Sequence, residues 1–165
     1  MRTSFVHLAG TRLGFRDPAD PTVFERVAKQ FDFAIDFALD QRASFVLFGG
    51  NLFDGPDLQP DTLQVAIRGL RRLAEKNVSA IAIRGQRELW LQPAISSWYD
   101  MLSREGLLSA LEPAIRPEQM ELRRWERRDG IGSYADLGRC RVLGLGYHGS
   151  MAGPLLQALA KAIAA

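Results

Sequence analysis

The sequence predicts an α/β fold in which a mainly parallel sheet is covered by helices and followed by a β-rich C-terminal section. Up to about residue 105, three short apolar runs alternate with three segments of helical period. Such β-α-β-α-β-α alternation is typical of a parallel sheet with helices on its faces. After Gly106 the helical period gives way to shorter apolar runs, which indicates the β-rich section.

The strands are predicted from apolar runs that end at glycine-containing turns. They cover residues 5–9, 44–48 and 78–83. Runs of this length, bounded by turn residues, favour buried strands over helices. Two further strands are expected at residues 120–128 and 131–146, joined at Asp129-Gly130, a dipeptide typical of hairpin turns.

The helices are predicted from apolar residues that recur every three or four positions. The first covers residues 21–41, with Asp20 as its N-cap and Pro21 at its first position. The second is capped by Asp61, the third covers residues 94–104, and a small helix covers about residues 152–163.

Composition indicates one ordinary globular domain. The 165 residues are enough for a hydrophobic core, and no apolar run reaches the roughly 18 residues that cross a membrane. The N-terminus lacks the pattern of a signal peptide, so we expect a cytoplasmic protein without membrane contact. The net charge of +2 neither requires nor excludes nucleic acid. The single cysteine, Cys140, excludes an internal disulfide and is expected in the core.

The most informative residues follow the predicted strands. Ligands of open α/β sheets bind at the carboxyl ends of the strands. Those ends read Gly10-Thr11-Arg12-Leu13-Gly14, Gly50-Asn51-Leu52-Phe53-Asp54 and Gly85-Gln86-Arg87-Glu88.

These three blocks resemble the signatures of the metallophosphoesterase (calcineurin-like) superfamily, which are Asp-x-His, Gly-Asp-Leu-Phe-Asp and Gly-Asn-His-Asp/Glu. Their flanks are similar to those of the SbcD-type DNA double-strand-break repair exonucleases. The resemblance covers residues 4–110 well and residues 120–150 loosely. It implies a partial metallophosphoesterase-like sandwich, with residues 1–165 forming a single domain that lacks the C-terminal part of the family domain.

The resemblance also implies a lost metal site. Enzymes of the family use a pair of Mn or other divalent ions, held by carboxylates and imidazoles. The matching positions here are Gly10, Arg12, Asn51, Gln86 and Arg87. Glycine has no donor atom and arginine has no lone pair to offer a metal. We therefore expect no catalytic residue, no metal-binding residue and no cofactor.

The downstream histidines of the family, including its Gly-His-x-His motif, are absent from this chain. Its histidines, His7 and His148, are expected to be hydrogen-bonded structural residues. Scaffold residues are nevertheless family-like, namely Leu13-Gly14, Leu52-Phe53-Asp54 and Gly85. Because the differences are confined to the positions of the family's metal ligands, they indicate that the fold is retained and the activity is lost.

Two other motifs are weaker. Gly144-Leu145-Gly146-Tyr147-His148-Gly149 fits a dinucleotide-binding pattern, but no second strand and ribose-binding acid follow it. Arginines surround Trp125 in residues 123–128, which is a pattern that can hold a nucleic-acid strand. We favour a solvated hairpin with Trp125 on its inner face.

The leading hypothesis is a catalytically inactive metallophosphoesterase- or exonuclease-like domain that acts as a binding or scaffold module. Its partners would be a phosphate group, a DNA backbone, another protein, or a second copy through the third helix. The alternative is a divergent metal-dependent phosphoesterase or DNA exonuclease that takes its ligands from outside the standard motifs.

The arginines leave a further question open. Arg12 and Arg87 follow adjacent strands, so their side chains are expected close together. With the N–H groups of Gly50 and Gly85 they would form an anion-binding pocket. Alternatively, they pair with Glu88, Asp54 or Asp17 and fill the cavity.

Overall fold

The computed structural model describes residues 3–89, 97–115, 120–130 and 132–164. In that part of the chain, none of the helices has the length and apolar character that crossing a membrane requires.

A four-stranded parallel sheet organises the fold. Its strands are β1 (Phe5–Leu8), β2 (Phe45–Phe48), β3 (Ser79–Ala82) and β4 (Ser109–Ala110). They lie side by side in chain order, with Phe5 opposite Phe45 and Phe45 opposite Ser79. The predicted α/β class with a parallel sheet is therefore confirmed. Since the strands are parallel, the three sequence blocks that follow β1, β2 and β3 meet at one edge of the sheet.

Three helices cover one face of this sheet and form the main core. They are α1 (Val23–Asp40), α2 (Pro60–Glu75) and α3 (Trp98–Arg104). Each buries one apolar stripe, and the fully buried side chains on these stripes are Phe31, Ile35, Leu70, Leu73 and Leu102. The outer faces of α1 and α2 are joined by ion pairs of Arg68 with Asp32 and of Arg72 with Asp36.

The helix starts differ from those predicted. Asp20 is not the N-cap of α1, because its side chain accepts hydrogen bonds from the backbone N–H and the hydroxyl of Thr22, and the helix begins at Val23. Helix α2 begins at Pro60, since proline suits the first position of a helix, so Asp61 lies inside its first turn. Ser97 caps α3. Residues 94–96 of the predicted third helix lie outside the described residues.

The C-terminal section packs on the other face of the sheet. It contains β5 (Ala114–Ile115), β6 (Met120–Glu121), β7 (Tyr134–Leu137), β8 (Cys140–Leu143) and α4 (Ala152–Ala164). Strands β5 and β6 pair antiparallel, as do β7 and β8. A second, smaller core of Ile81, Leu111 and Ala135 lies between this section and the sheet.

Two expectations about this section are wrong. The hairpin turn lies at Gly138-Arg139, between β7 and β8, and Asp129-Gly130 belongs to an earlier turn. The predicted strand 131–146 is interrupted by the turn at Gly138-Arg139, while the Trp125 N–H still donates to Tyr134 O at 2.7 Å across the earlier one. Cys140, which was expected in the core, is partly exposed on β8.

Candidate functional site

The candidate site is built where the chain leaves β1 and β2. Beyond the strands the two segments remain paired. The N–H of Gly10 donates to Gly50 O at 3.0 Å, that of Arg12 to Asn51 O at 2.8 Å, and that of Leu13 to Leu52 O at 2.8 Å. Leu13, Leu52 and Phe53 are buried beneath this pairing. The core therefore holds the first two motif blocks in fixed register.

Asn51 ties the third block to the first two. Its side-chain Oδ1 accepts a hydrogen bond from the Arg87 N–H at 2.9 Å, and its own N–H donates to Glu88 Oε2 at 3.0 Å. Asn51 Oδ1 is a neutral oxygen that could in principle take the place of a carboxylate metal ligand. In the folded chain this oxygen already accepts a hydrogen bond from the Arg87 N–H, in the loop after β3.

Five described backbone positions at this edge have positive φ; two of them are Gly14 and Gly50, and the other three match signature positions of the superfamily. The φ angles are 66° at Gly10, 53° at Arg12 and 50° at Asn51. Among residues with a side chain, Asn, Asp and His adopt this region most readily, whereas arginine adopts it rarely. Asp or His would therefore fit the left-handed backbone at these positions more readily than most other residues with a side chain.

The two arginines converge on one carboxylate. Arg12 Nε donates to Asp54 Oδ1 at 2.7 Å, and Arg87 Nε donates to the same oxygen at 2.9 Å and to Asp54 O at 3.0 Å. The Arg12 guanidinium also lies 4.2 Å from the centre of the Phe15 ring. Of the three acidic partners considered from sequence, Asp54 is the one that both arginines contact.

Glu88 is a buried anchor that the sequence analysis missed. It is 4% exposed and accepts four hydrogen bonds, from the N–H groups of Asn51, Phe53 and Gly85 and from the Tyr99 hydroxyl. Burial raises the pKa of Glu88 above its ordinary value, while these hydrogen bonds oppose the rise. The spacing Gly85-x-x-Glu88 is that of a helix capping box and could have indicated this role.

Tyr99 completes this buried network from α3. Its hydroxyl lies 2.8 Å from Glu88 Oε1, and its ring meets Phe53 edge-on with ring centres 5.9 Å apart. Burial, together with the negative charge of Glu88, raises the pKa of Tyr99 well above its ordinary value of 10.0. Tyr99 therefore stays neutral in the folded protein at pH values where it ionises in the unfolded chain.

This shift predicts an alkaline loss of stability. Above about pH 10 the unfolded state releases the Tyr99 proton and the folded state keeps it, so the unfolding free energy should fall as pH rises, by up to about 1.4 kcal/mol per pH unit. Urea unfolding at a series of alkaline pH values should show a shallower fall in Tyr99→Phe. Tyr147→Phe, which changes an exposed tyrosine, should match the wild type. Equal slopes in all three proteins would contradict the prediction.

The remaining predicted site positions fall as follows. Gln86 is exposed in a short 3₁₀ helix at Gln86–Glu88. The Gly85 N–H was expected to face an anion, but it donates to Glu88 Oε2 at 2.7 Å, so that expectation is corrected. Gly50 is buried, with its carbonyl accepting from Gly10. An anion contact at Gly50 stays a prediction.

The residues at this edge do not fit a pair of divalent metal ions. Arg12 and Arg87 place permanent positive charge beside Asp54, whose Oδ1 they share. The buried carboxylate Glu88 is enclosed by donors and faces the backbone. Over the described ranges, no three His, Cys, Asp or Glu side chains are grouped in a way that could hold a metal ion.

The glycine-rich turn after β8 has a packing role. A Cβ at Gly144 would lie 2.3 Å from that of Leu111, and one at Gly146 would lie 2.4 Å from Glu112 Oε2, so both positions require close approach to the strand ends. Glu112 also pairs with His148 Nε2 at 2.8 Å. His148 is therefore hydrogen-bonded, and His7 lies exposed on β1 against Gly49.

The basic stretch at residues 123–128 is largely engaged within the protein. Trp125 packs against the smaller core and donates to Ser103 Oγ at 2.9 Å. Arg127 donates to the carbonyls of Arg104 and Glu105 at the end of α3. These contacts place Trp125 on the inner face, as expected, rather than on a surface where a base could stack.

The fold and the three strand ends define an α/β domain with its candidate site at one edge of a parallel sheet. The chain matches no protein-family model. It is similar to proteins named DNA double-strand break repair protein Mre11. The one from Methanococcus maripaludis is 32% identical over 89 residues, which are 52% of this chain and 23% of the relative.

Two further Mre11 proteins align over more of the chain. The Archaeoglobus fulgidus protein is 28% identical over 120 residues, covering 71% of this chain and 27% of the relative. The Aeropyrum pernix protein is 27% identical over 137 residues, covering 83% of this chain and 31% of the relative. The chain thus spans less than a third of the length of these curated relatives. The similarity supports the metallophosphoesterase superfamily and agrees with the α/β fold.

Proposed function

We propose that this chain is a metallophosphoesterase-like domain that keeps the fold but does not hold the dinuclear metal site, and that it acts as a binding or scaffold module. The observation that carries the proposal is the convergence of Arg12 and Arg87 on Asp54. Two guanidinium groups stand where the superfamily signatures would place metal-binding histidines. Their charge disfavours divalent cations, and they have no lone pair with which to coordinate one.

The chemical consequence is a loss of hydrolysis. In two-metal phosphoesterases the ions activate water and stabilise the charge that develops on phosphate. Without carboxylate and imidazole ligands this chain has no equivalent source of hydroxide. Asp54 Oδ1 is occupied as the shared acceptor of both arginines. Binding is therefore the role that these residues support.

We expect wild-type protein to show no stoichiometric Mn²⁺, Mg²⁺ or Zn²⁺ binding by calorimetry. We also expect no metal-dependent hydrolysis of bis(p-nitrophenyl) phosphate or single-stranded DNA. Micromolar Mn²⁺ binding that is lost in Asn51→Ala would overturn the proposal. So would hydrolysis that survives purification but disappears in Gln86→Ala and Arg87→Ala.

A variant with restored ligands is the matched positive control. It combines Gly10→Asp, Arg12→His, Asn51→Asp, Gln86→Asn and Arg87→His. We expect it to fold, because the backbone at positions 10, 12 and 51 is left-handed and a Cβ at position 10 meets no atom within 4 Å. It should gain weak Mn²⁺ binding but little activity, since the downstream histidines are missing from this chain. An unfolded product would show that the arginines have become essential to the structure.

A further inference from the structure

In Arg12 and Arg87, only some of the guanidinium N–H groups donate hydrogen bonds within the protein. Both arginines contact Asp54 through Nε, so the outer Nη1 and Nη2 atoms remain. In the part of the chain that the structure describes, no Nη atom of either residue has a hydrogen bond to the protein. Each Nη carries two N–H groups, so the pair presents a large set of uncommitted charged donors at one point.

The charge of this cluster does not balance. Two guanidinium groups and one carboxylate leave a net charge of +1. Among the described residues, the buried acid Glu88 makes no ion pair with either arginine and is held by three backbone N–H groups instead. The arginine side chains are 37% and 46% exposed. A charged solute can therefore reach them from solvent.

The cluster is also held in place and has space beside it. Asp54 orients both Nε atoms, and the Phe15 ring lies against the Arg12 guanidinium. Prior ordering of a flexible side chain lowers the entropy cost of binding. A Cβ added at Gly10, two residues before Arg12 in the same loop, would meet no atom within 4 Å, so this loop is not packed over at that position.

We propose that the Arg12–Arg87 pair binds a phosphate group, with its oxygens bridging the Nη atoms of the two guanidinium groups. The inference rests on the proposed function, since a metal pair at this edge would compete for the same space. A phosphate group suits the pair because its several oxygens accept from two forks at once, and guanidinium–phosphate hydrogen bonds are charge-assisted. The phosphate comes from a free nucleotide or from the backbone of a single nucleic-acid strand.

Calorimetric titrations at low, constant ionic strength distinguish the two sources. The ligands are inorganic phosphate, a 5′-mononucleotide and a short single-stranded DNA. EDTA is present throughout, so binding cannot proceed through a metal and the result is independent of the Mn²⁺ titration. Binding of phosphate and mononucleotide alone assigns a small-molecule site, whereas binding of DNA as well assigns a strand-backbone site. No binding of any of the three overturns the proposal.

Substitutions of the arginines and of Asp54 should change phosphate binding in opposite directions. Arg12→Gln and Arg87→Gln should each weaken binding about tenfold or more, because a charge-assisted hydrogen bond is lost. Asp54→Asn should strengthen it, because the amide oxygen can still accept from both Nε atoms while the competing carboxylate charge is removed. Loss of folding alone cannot produce this strengthening, and thermal unfolding of each variant checks its folded state.

Arg71→Gln supplies the charge-matched control. Arg71 lies exposed on α2 and its replacement changes the net charge by the same amount as Arg12→Gln. It should leave binding unchanged. Equal weakening in Arg71→Gln would mean that the ligand responds only to overall charge, and failure of Asp54→Asn to strengthen binding would remove the two arginines as the site.

Discussion

Replacing Glu88 by alanine is expected to lower the unfolding free energy by about 4 kcal/mol or more. The carboxylate accepts hydrogen bonds from three backbone N–H groups and one hydroxyl, and the variant leaves these buried donors without a partner. Urea unfolding followed by tryptophan fluorescence measures the change. A loss near that of an ordinary surface substitution, within about 0.5 kcal/mol, would contradict the role assigned to Glu88.

The amide variant refines this test. In Glu88→Gln the new NH₂ group must face at least one of the donors. It fits best at the Oε1 position, where the Tyr99 hydroxyl can turn to accept and only the Phe53 N–H is opposed. We therefore expect an intermediate loss of about 1–3 kcal/mol. Glu75→Gln, at an exposed position at the end of α2, is the matched control and should have little effect.

Replacing Gly85 by alanine is also expected to lower the unfolding free energy strongly. A Cβ at this position would lie 2.3 Å from Asn51 N and 2.4 Å from Asn51 Oδ1, which no pair of such atoms tolerates. The φ of Gly85 is −90°, so the obstacle is the contact rather than the backbone conformation. The loops after β2 and β3 must separate, and we expect a loss of about 3 kcal/mol.

Gly55→Ala is the control for this prediction. It lies in the loop after β2, where a Cβ meets no atom within 4 Å, and its φ is not in the left-handed range. Its stability should stay within about 1 kcal/mol of the wild type, with a small gain from reduced freedom of the unfolded chain. Similar losses in Gly55→Ala and Gly85→Ala would show that the two loops do not touch as closely as described.

The elements of the sheet and its helices were predictable from local pattern. Apolar runs of strand length and stripes of helical period place β1, β2, β3, α1 and α2 within a few residues of their observed bounds. Helix starts were less predictable. Asp20 and Asp61 look equally suited to capping, yet Asp20 closes a local turn on Thr22 and Asp61 bonds to Arg16. The first contact is local and the second joins residues 45 apart in sequence, so capping residues alone do not fix where a helix begins.

In the β-rich section, too, local sequence pattern did not predict where the turns and strands lie. Both Asp129-Gly130 and Gly138-Arg139 can form tight turns, and each glycine has a positive φ. Sequence pattern favoured the first as the hairpin turn. In the structure both dipeptides lie in turns, but the antiparallel ladder of β7 and β8 forms across the second. Residues around Trp125 were nevertheless correctly predicted to turn the aromatic ring inward.

The sequence by itself determined the class of fold and the chemistry of the strand ends. Residue types alone establish that Gly10, Arg12 and Arg87 cannot coordinate a metal, because that follows from their atoms and not from their positions. Only the tertiary structure decided the partners. It joined both arginines to Asp54 rather than to Glu88 or Asp17, and it directed Glu88 inward to the backbone of the two glycine loops. The physical reason is that a side chain's hydrogen bonds depend on which loops the parallel sheet brings to one edge.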